Sequence, residues 1–415
     1  MMEVFAILEP LFKQTGTVID VFRFIWFFIL PFILYKTFFP LWMSYIGDVR
    51  AENTDFETIE IIPPRNTERS PQPMESVFAG LQGTSTTISV YDELCFGASQ
   101  PNFSIEIVGT NGCVHFFIDL PSSLRALFES HLYAQYPDVE IRDAHNYIEQ
   151  VPAIIPNKDW DLWGSDIVLI KPDPIPIKTW ERFEETVTGK MIDPLSGLIE
   201  MMGRMRKAEH LWFQIIIEPI LEGWAKEEGE KFVNELKGKA PAPEKGIIGK
   251  IMMAITGFLK RDTDGGEKKD EAPLEFRLSP GERKTLEAVE DNIGRYMFRT
   301  KMRMVYIGRR EVFRKSMVSG FFGALKQFAD FNLNAFKPTL LTDAKYIFRK
   351  TRLRFRQRKV FDAYKKRKLN TPRFVLSDRE LATVFHMPDM TVVAPSVVRS
   401  NITKATAPPD LPIAQ

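Results

Sequence analysis

The chain has 415 residues, of which 44% are hydrophobic and 26% charged, and its 55 Lys and Arg against 54 Asp and Glu leave a net charge of +1. That composition excludes an intrinsically disordered chain and leaves room for two or three domains. A charge so near zero names no partner through bulk electrostatics. Two cysteines, Cys95 and Cys113, exclude a disulfide scaffold and read as buried thiols in a reducing compartment.

Taken in chain order, the first signal is VIDVFRFIWFFILPFILYKTFFPLWMSYIG, Val18 to Gly47, where Lys36 is the one charge between Arg23 and Gly47. A spanning helix needs about 20 mostly apolar residues. Phe24 to Ile46 supplies them if Lys36 snorkels to the headgroups. The expected anchor, within residues 1–50, is carried by Phe24, Trp26, Phe27, Phe28, Ile29, Leu30, Phe32, Ile33, Leu34, Tyr35, Phe38, Phe39, Leu41, Trp42 and Tyr45. Trp26, Tyr35, Trp42 and Tyr45 are types that favour the membrane–water interface. Pro31 and Pro40 would kink the helix without forbidding it in lipid. There is no small-residue cleavage site, and the apolar run is too long for a signal peptide. A buried or an interfacial helix is the competing reading. Met1 to Phe12 is also apolar and suits the interface. The flanking charges are almost symmetric, so they set no orientation.

A polar linker, Asp48 to Asp55, leads into a first α+β unit over residues 51–150. TIEII (Thr58 to Ile62) alternates as a strand, and PMESVFAGLQG (Pro73 to Gly83) reads as a helix ending at Gly83. FSIEIVGTNGCVHFFIDL (Phe103 to Leu120) is a hairpin turning at Asn111-Gly112. A helix follows, capped by Ser122 or Ser123, with Leu124, Leu127, Phe128 and Leu132 on one stripe; VEIRDA (Val139 to Ala144) is the last strand. The order β-α-β-β-α-β is the ferredoxin-like split βαβ arrangement.

Residues 151–340 read as a second such unit. GSDIVLIKP (Gly164 to Pro172) is a strand that PDPIPIKTW extends along an edge. DPLSGLIEMMGRM (Asp193 to Met205) is a helix capped by Asp193, and HLWFQIIIEP (His210 to Pro219) is a central strand. SPGERKTLEAVEDNIGRYMF (Ser279 to Phe298) is a capped helix, followed by the strand RTKMRMVYIG (Arg299 to Gly308) and a further helix. A loop-flanked insertion, 238–273, interrupts this unit. Within it, Ile247, Ile248, Ile251, Met252, Ile255, Phe258 and Leu259 mark a lightly cationic apolar helix suited to a membrane surface, its own domain or a partner.

Residues 341–372 form a basic helical segment. Arg349, Lys350, Arg352, Arg354, Arg356, Arg358, Lys359, Lys365, Lys366, Arg367 and Lys368 are interleaved with Phe348, Phe355, Phe361 and Tyr364. Such a run suits nucleic-acid phosphates or anionic headgroups, or is a solvated helix with its aromatics turned inward. The final segment, 373–415, holds a short helix and a Pro-rich tail. Ser377 and Glu380 make a capping box, Leu381, Ala382, Val384 and Phe385 would dock one face, and Pro388 closes the helix. The fold class is therefore α+β: an N-terminal transmembrane helix, two ferredoxin-like units and a basic C-terminal helix with its tail.

Catalytic signatures are missing. GIIGKI (Gly246 to Ile251) has Glu244 where a phosphate loop needs its first glycine, and Ile251 where it needs Ser or Thr. His115, His131, His145, His210 and His386 show no metal-ligand spacing; Cys113 and His115 share a strand face without a third ligand near in sequence. No cofactor or catalytic residue is expected, and the chain reads as a non-enzyme.

LSDRELATVFHMPD (Leu376 to Asp389) resembles a motif that precedes the nucleotide-binding core in type IV secretion and conjugation ATPases of the VirB4 and VirD4 kind. The likeness is to membrane-anchored versions in candidate-phyla bacteria. Ser104 to Ile141 and Leu278 to Phe313 resemble their N-terminal and second domains, and APPDLPI (Ala407 to Ile413) resembles the run that leads into the ATPase. The resemblance implies the non-catalytic, membrane-proximal half of such a machine, single-pass in the cell membrane with a cytoplasmic body. Its ATPase would be a separate polypeptide, or lost by splitting or truncation. The expected partners are the membrane, that ATPase, DNA and a second copy of the chain. The alternative is a membrane-tethered nucleic-acid-binding protein acting through residues 345–369.

Overall fold

The computed structural model describes residues 26, 29–64, 70–144, 146–183, 192–221, 229–233, 279–339, 342, 348–369, 372–388 and 397. They divide into two compact units, one within Met1–Asp55 and Thr87–Ser99, the other within Phe56–Thr86 and Gln100–Gln415. Phe24, Phe27 and Phe28 of the expected anchor lie outside the described residues, as do the apolar helix of the insertion, most of the insertion's flanks and the Pro-rich tail.

The first unit is built on helix α1 (Ile29–Glu52), which is long and apolar enough to cross a membrane. Its aromatic side chains form a ladder: Tyr35 stacks on Phe39, Phe38 on Trp42, and Trp42 tilts against Tyr45. Thr37 returns its hydroxyl to the Ile33 carbonyl at 2.8 Å, so the polar group is satisfied within the helix. Helix runs on through Glu52, so most of the expected linker from Asp48 is helical, because nothing in DVRAE breaks it.

In the second unit, β1 (Phe56–Ile62), α2 (Gln72–Gln82), β2 (Phe103–Thr110), β3 (Cys113–Pro121), α4 (Arg125–Gln135) and β4 (Glu140–Asp143) give the antiparallel order β4-β1-β3-β2. A helix α3 (Val90–Phe96) lies between α2 and β2 in sequence and belongs to the first unit. The pattern then repeats. β5 (Trp160–Leu169), α5 (Ser196–Gly203), β6 (Glu209–Pro219), α6 (Pro280–Ile293), β7 (Met297–Arg309), α7 (Lys315–Leu325) and β8 (Phe336–Thr339) give the order β8-β5-β7-β6. Both halves thus have the ferredoxin-like strand arrangement. They meet edge to edge: β2 pairs β6 antiparallel from Phe103↔Ile217 to Thr110↔His210. The boundary drawn at residue 150 therefore does not interrupt the sheet. A short strand β9 (Phe374–Ser377) adds to the start of β7.

Strand alternation sets two faces. Phe103, Ile105 and Ile107 of β2, with Phe213 and Ile215 of β6, pack under α2, α4, α5, α7 and the terminal helix α9 (Asp378–Val384) in the main core. The other face carries a smaller core of Val108, Phe117, Trp212 and Val305, on which helix α8 (Arg349–Lys365) docks through Val360, Phe361 and Tyr364. α8 comes close at Gly164, where a Cβ would lie 2.7 Å from Val360 Cγ1. Asn111 and Gly112 turn the β2–β3 hairpin with φ of 54° and 86°, the positive values that a two-residue loop requires.

Several local expectations give way. Ser122 and Ser123 form a 3₁₀ turn with Leu124 instead of capping α4. Asp193 accepts from Leu195 N at 2.7 Å, capping the turn before α5 rather than the helix. PDPIPIKTW does not extend β5, which ends at Leu169; its backbone is bound elsewhere, Ile177 N donating to Glu380 Oε1 at 2.8 Å. Cys95 and Cys113 are exposed, not buried: one sits on short α3 and the other at the hairpin turn, where the core does not reach.

Candidate functional site

The basic segment folds as α8 and divides into two parts. Gln357, Val360, Phe361 and Tyr364 are buried and recur at helical spacing, so they form the docking stripe. Phe361 and Tyr364 lie against the Trp212 ring, and Gln357 Nε2 donates to the Leu162 carbonyl at 2.6 Å. Outside the stripe, Arg349, Lys350, Arg352, Arg354, Arg356, Arg358 and Lys359 are exposed, and Phe355 is 67% exposed among them. The first turn of α8 contains no acidic residue. Cations therefore crowd the positive end of the helix dipole, an arrangement that an anion would relieve by about 0.3–1 kcal/mol per charge.

The last cations of the run behave differently. Lys365 pairs with Asp362 at 3.1 Å and donates to the Ala153 carbonyl, while Lys366 is exposed. Arg367 turns into the protein, its Nε 2.9 Å from Glu106 Oε1 and 3.3 Å from Asp119 Oδ2. Lys368 contributes its carbonyl, which accepts from Arg303. Arg367 and Lys368 thus help to hold α8 on the sheet rather than extending the outward cationic face.

Arg367 enters a charged seam on the second sheet face. Glu106 is fully buried and accepts from Arg367, the Tyr147 hydroxyl at 2.7 Å, Gln214 Nε2 at 2.9 Å and Ser104 Oγ at 2.8 Å. Gln214 Oε1 accepts from Arg303, whose Nε reaches Asp166 Oδ1 at 2.9 Å; Lys301 Nζ holds Asp166 Oδ2 at 2.7 Å. Three carboxylates, Asp119, Glu106 and Asp166, thereby alternate with Arg367, Arg303 and Lys301, and the seam carries no net charge. Burial alone would push Glu106 up, but Arg367 and the hydrogen bonds from Tyr147 and Gln214 hold it below the usual carboxylate range. Asp119, sharing the same guanidinium, is pushed up to about 6 by burial. Burial also lowers Lys301 despite Asp166 beside it. Chemically the seam is a clamp, with the donors of Tyr147, Gln214 and Arg367 all directed into one carboxylate.

The sequence-marked histidines are scattered. His115 Nδ1 faces Glu60 Oε1 at 2.6 Å, and Cys113 sits nearby at the exposed turn. His210 lies between the Trp160 and Trp212 rings, with its pKa lowered to about 4 by burial. His131 packs against Gly80 of α2. His386 points Nδ1 at the Ala382 carbonyl and Nε2 at Asp193 Oδ1, 2.9 and 3.1 Å away. His145 lies outside the described residues. Among the described residues no group of three His, Cys, Asp or Glu is placed to hold a metal ion.

The capping box at the C-terminal motif is present. Glu380 Oε2 accepts from Ser377 N at 2.9 Å, and the Ser377 hydroxyl accepts from Glu380 N. The same carboxylate reaches Ile177 N and Asn292 Nδ2, tying β9 and α9 to the irregular stretch after β5 and to α6. Burial pushes the Glu380 carboxyl up to about 7. The C-terminal motif is therefore a structural staple. The seam escaped sequence reading, although one signal was present. SIEIV, GSDIV, WFQII and TKMRM each set charged or amide side chains, Glu106, Asp166, Gln214, and Lys301 with Arg303, beside the large apolar residues of a strand.

A search of curated proteins returns no match to this chain. Residues 43–400 match the family model of a domain of unknown function, DUF8128, a span that takes in most of the chain and shows that it belongs to the DUF8128 family.

Proposed function

We propose that this protein is a membrane-anchored, non-catalytic adaptor that presents docking faces to a separately encoded ATPase of the VirB4/VirD4-like kind. The observation that carries the reading is α1, most of whose apolar side chains stay exposed, as they would in lipid. The anchor would raise the local concentration of whatever the body binds. The resemblance noted at the C-terminal motif supplies the class of partner and favours a cytoplasmic body. The test is co-purification of the full chain, extracted in mild detergent, with a VirB4/VirD4-like ATPase of the same organism. Stoichiometric recovery supports the adaptor; clean separation of the two overturns it.

The exposed half of α8 favours a second reading, a tether for nucleic acid or anionic lipid. Phosphate contacts give a steep salt dependence, with a slope of about −0.9 per contact on duplex DNA. Replacing Arg352, Arg354, Arg356, Arg358 and Lys359 with Gln should flatten the slope by about 4.5 if each contacts a phosphate under this reading. ATPase recovery should survive the same change if the adaptor reading holds.

A further inference from the structure

Helix α3 was not marked by the sequence at all, yet its surface is unusual. Ser89 caps it by accepting from Asp92 N at 3.1 Å, and Gly97, at a φ of 63°, ends it. Two contacts fix it to α1. Trp42 Nε1 donates to the Leu94 carbonyl at 3.0 Å. Gly97 lies so close to α1 that a Cβ there would sit 2.7 Å from the Ile46 carbonyl oxygen. Ile46 is correspondingly buried. α3 is thereby held at the level of Trp42 to Ile46, where the apolar stretch of α1 gives way to Asp48 and Arg50.

Despite that packing, Val90, Tyr91 and Phe96 of this seven-residue helix are 70%, 66% and 59% exposed. The Tyr91 and Phe96 rings meet edge to face, their centroids 5.8 Å apart, and Asp92 and Glu93 share the surface. Short amphipathic helices rich in aromatic residues lie in the headgroup–acyl boundary, about 5–10 Å deep. We propose that α3 is a second membrane contact, an interfacial foot inserted beside α1 into the boundary of the bilayer that α1 crosses. The occupant follows from continuity: α3 is hydrogen-bonded to Trp42 of α1, and Trp42 and Tyr45 at that level of α1 are exposed apolar side chains like Val90, Tyr91 and Phe96 of α3. Asp92 and Glu93 suit zwitterionic rather than anionic headgroups. The proposal rests on the reading of α1 as a spanning helix.

Cys95 lies exposed on α3 and is the natural probe position. The full chain carrying Cys113→Ser, with an environment-sensitive fluorophore on Cys95, would be reconstituted in phosphatidylcholine vesicles. A second protein with Cys95→Ser, Cys113→Ser and Leu34→Cys reports on α1, and a third with Glu287→Cys in that background reports on the aqueous body. The Cys95 probe should be quenched most by lipid spin-labelled near the headgroup, and the Leu34→Cys probe most by lipid labelled near the chain end. The pair Tyr91→Asp and Phe96→Asp should abolish quenching at Cys95 and leave that at Leu34→Cys unchanged. A Cys95 probe that behaves like the Glu287→Cys control, while Leu34→Cys is quenched, overturns the foot and leaves the anchor standing. Absence of quenching at both overturns the two together.

Discussion

At the scale of single residues, the charged seam divides one guanidinium between two acids. Arg367 binds Glu106 bidentately and reaches Asp119 at a longer distance. Glu106 keeps its charge, while Asp119 is pushed up to about 6 by burial. An unfolded Asp titrates near 3.9, so between about 4 and 6 the native state binds the extra proton. The contribution of Asp119 to stability therefore falls as pH rises through that window and does not return above it. We expect Asp119→Asn to gain stability relative to the parent chain between pH ~4 and ~7, by on the order of 2 kcal/mol, as read from urea midpoints across that range. A constant difference would show that Asp119 is not the titrating group. Little of this was visible in the sequence. Glu106 and Arg367 are 261 positions apart, and no local pattern joins an acid in one strand to a cation beyond a distant helix.

Among the elements, legibility follows the range of the forces involved. The β2–β3 hairpin and the Ser377–Glu380 box could be read because each is settled by residues within a few positions of one another. The stretch PDPIPIKTW was misread because its backbone is claimed by Glu380 and Asn334, more than 150 positions downstream. α3 left no trace because seven residues are too few to establish a period. Glu380 does two things, capping α9 and satisfying the buried Ile177 N. Its removal combines a lost cap with orphaned donors. We expect Glu380→Ala to destabilise the body by about 3 kcal/mol in urea unfolding. A loss of under ~1 kcal/mol would mean that the tie to Ile177 is dispensable.

For the molecule as a whole, the α+β class and the repeated ferredoxin-like order followed from the alternation of strands and helices, but the fusion of the two halves did not. The β2–β6 pairing is written in no turn or motif; its one trace is that HLWFQIIIEP carries apolar residues on both faces, Trp212 and Ile216 on one and Leu211, Phe213, Ile215 and Ile217 on the other, and is buried throughout. The consequence for folding is direct. Expressed alone, Phe56–Gln150 would present all eight residues of β2 as an open edge. We expect that fragment to self-associate, as judged by light scattering, while the joined body stays dispersed; a monomeric, folded fragment would show that the halves are independent. Among the described residues the joined sheet ends instead on β4 and β8, four residues apiece, with Pro338 set into the second. Both margins are too short and blunt to template another chain. The two strand edges that would let neighbouring copies zip together are instead sealed against each other inside one molecule.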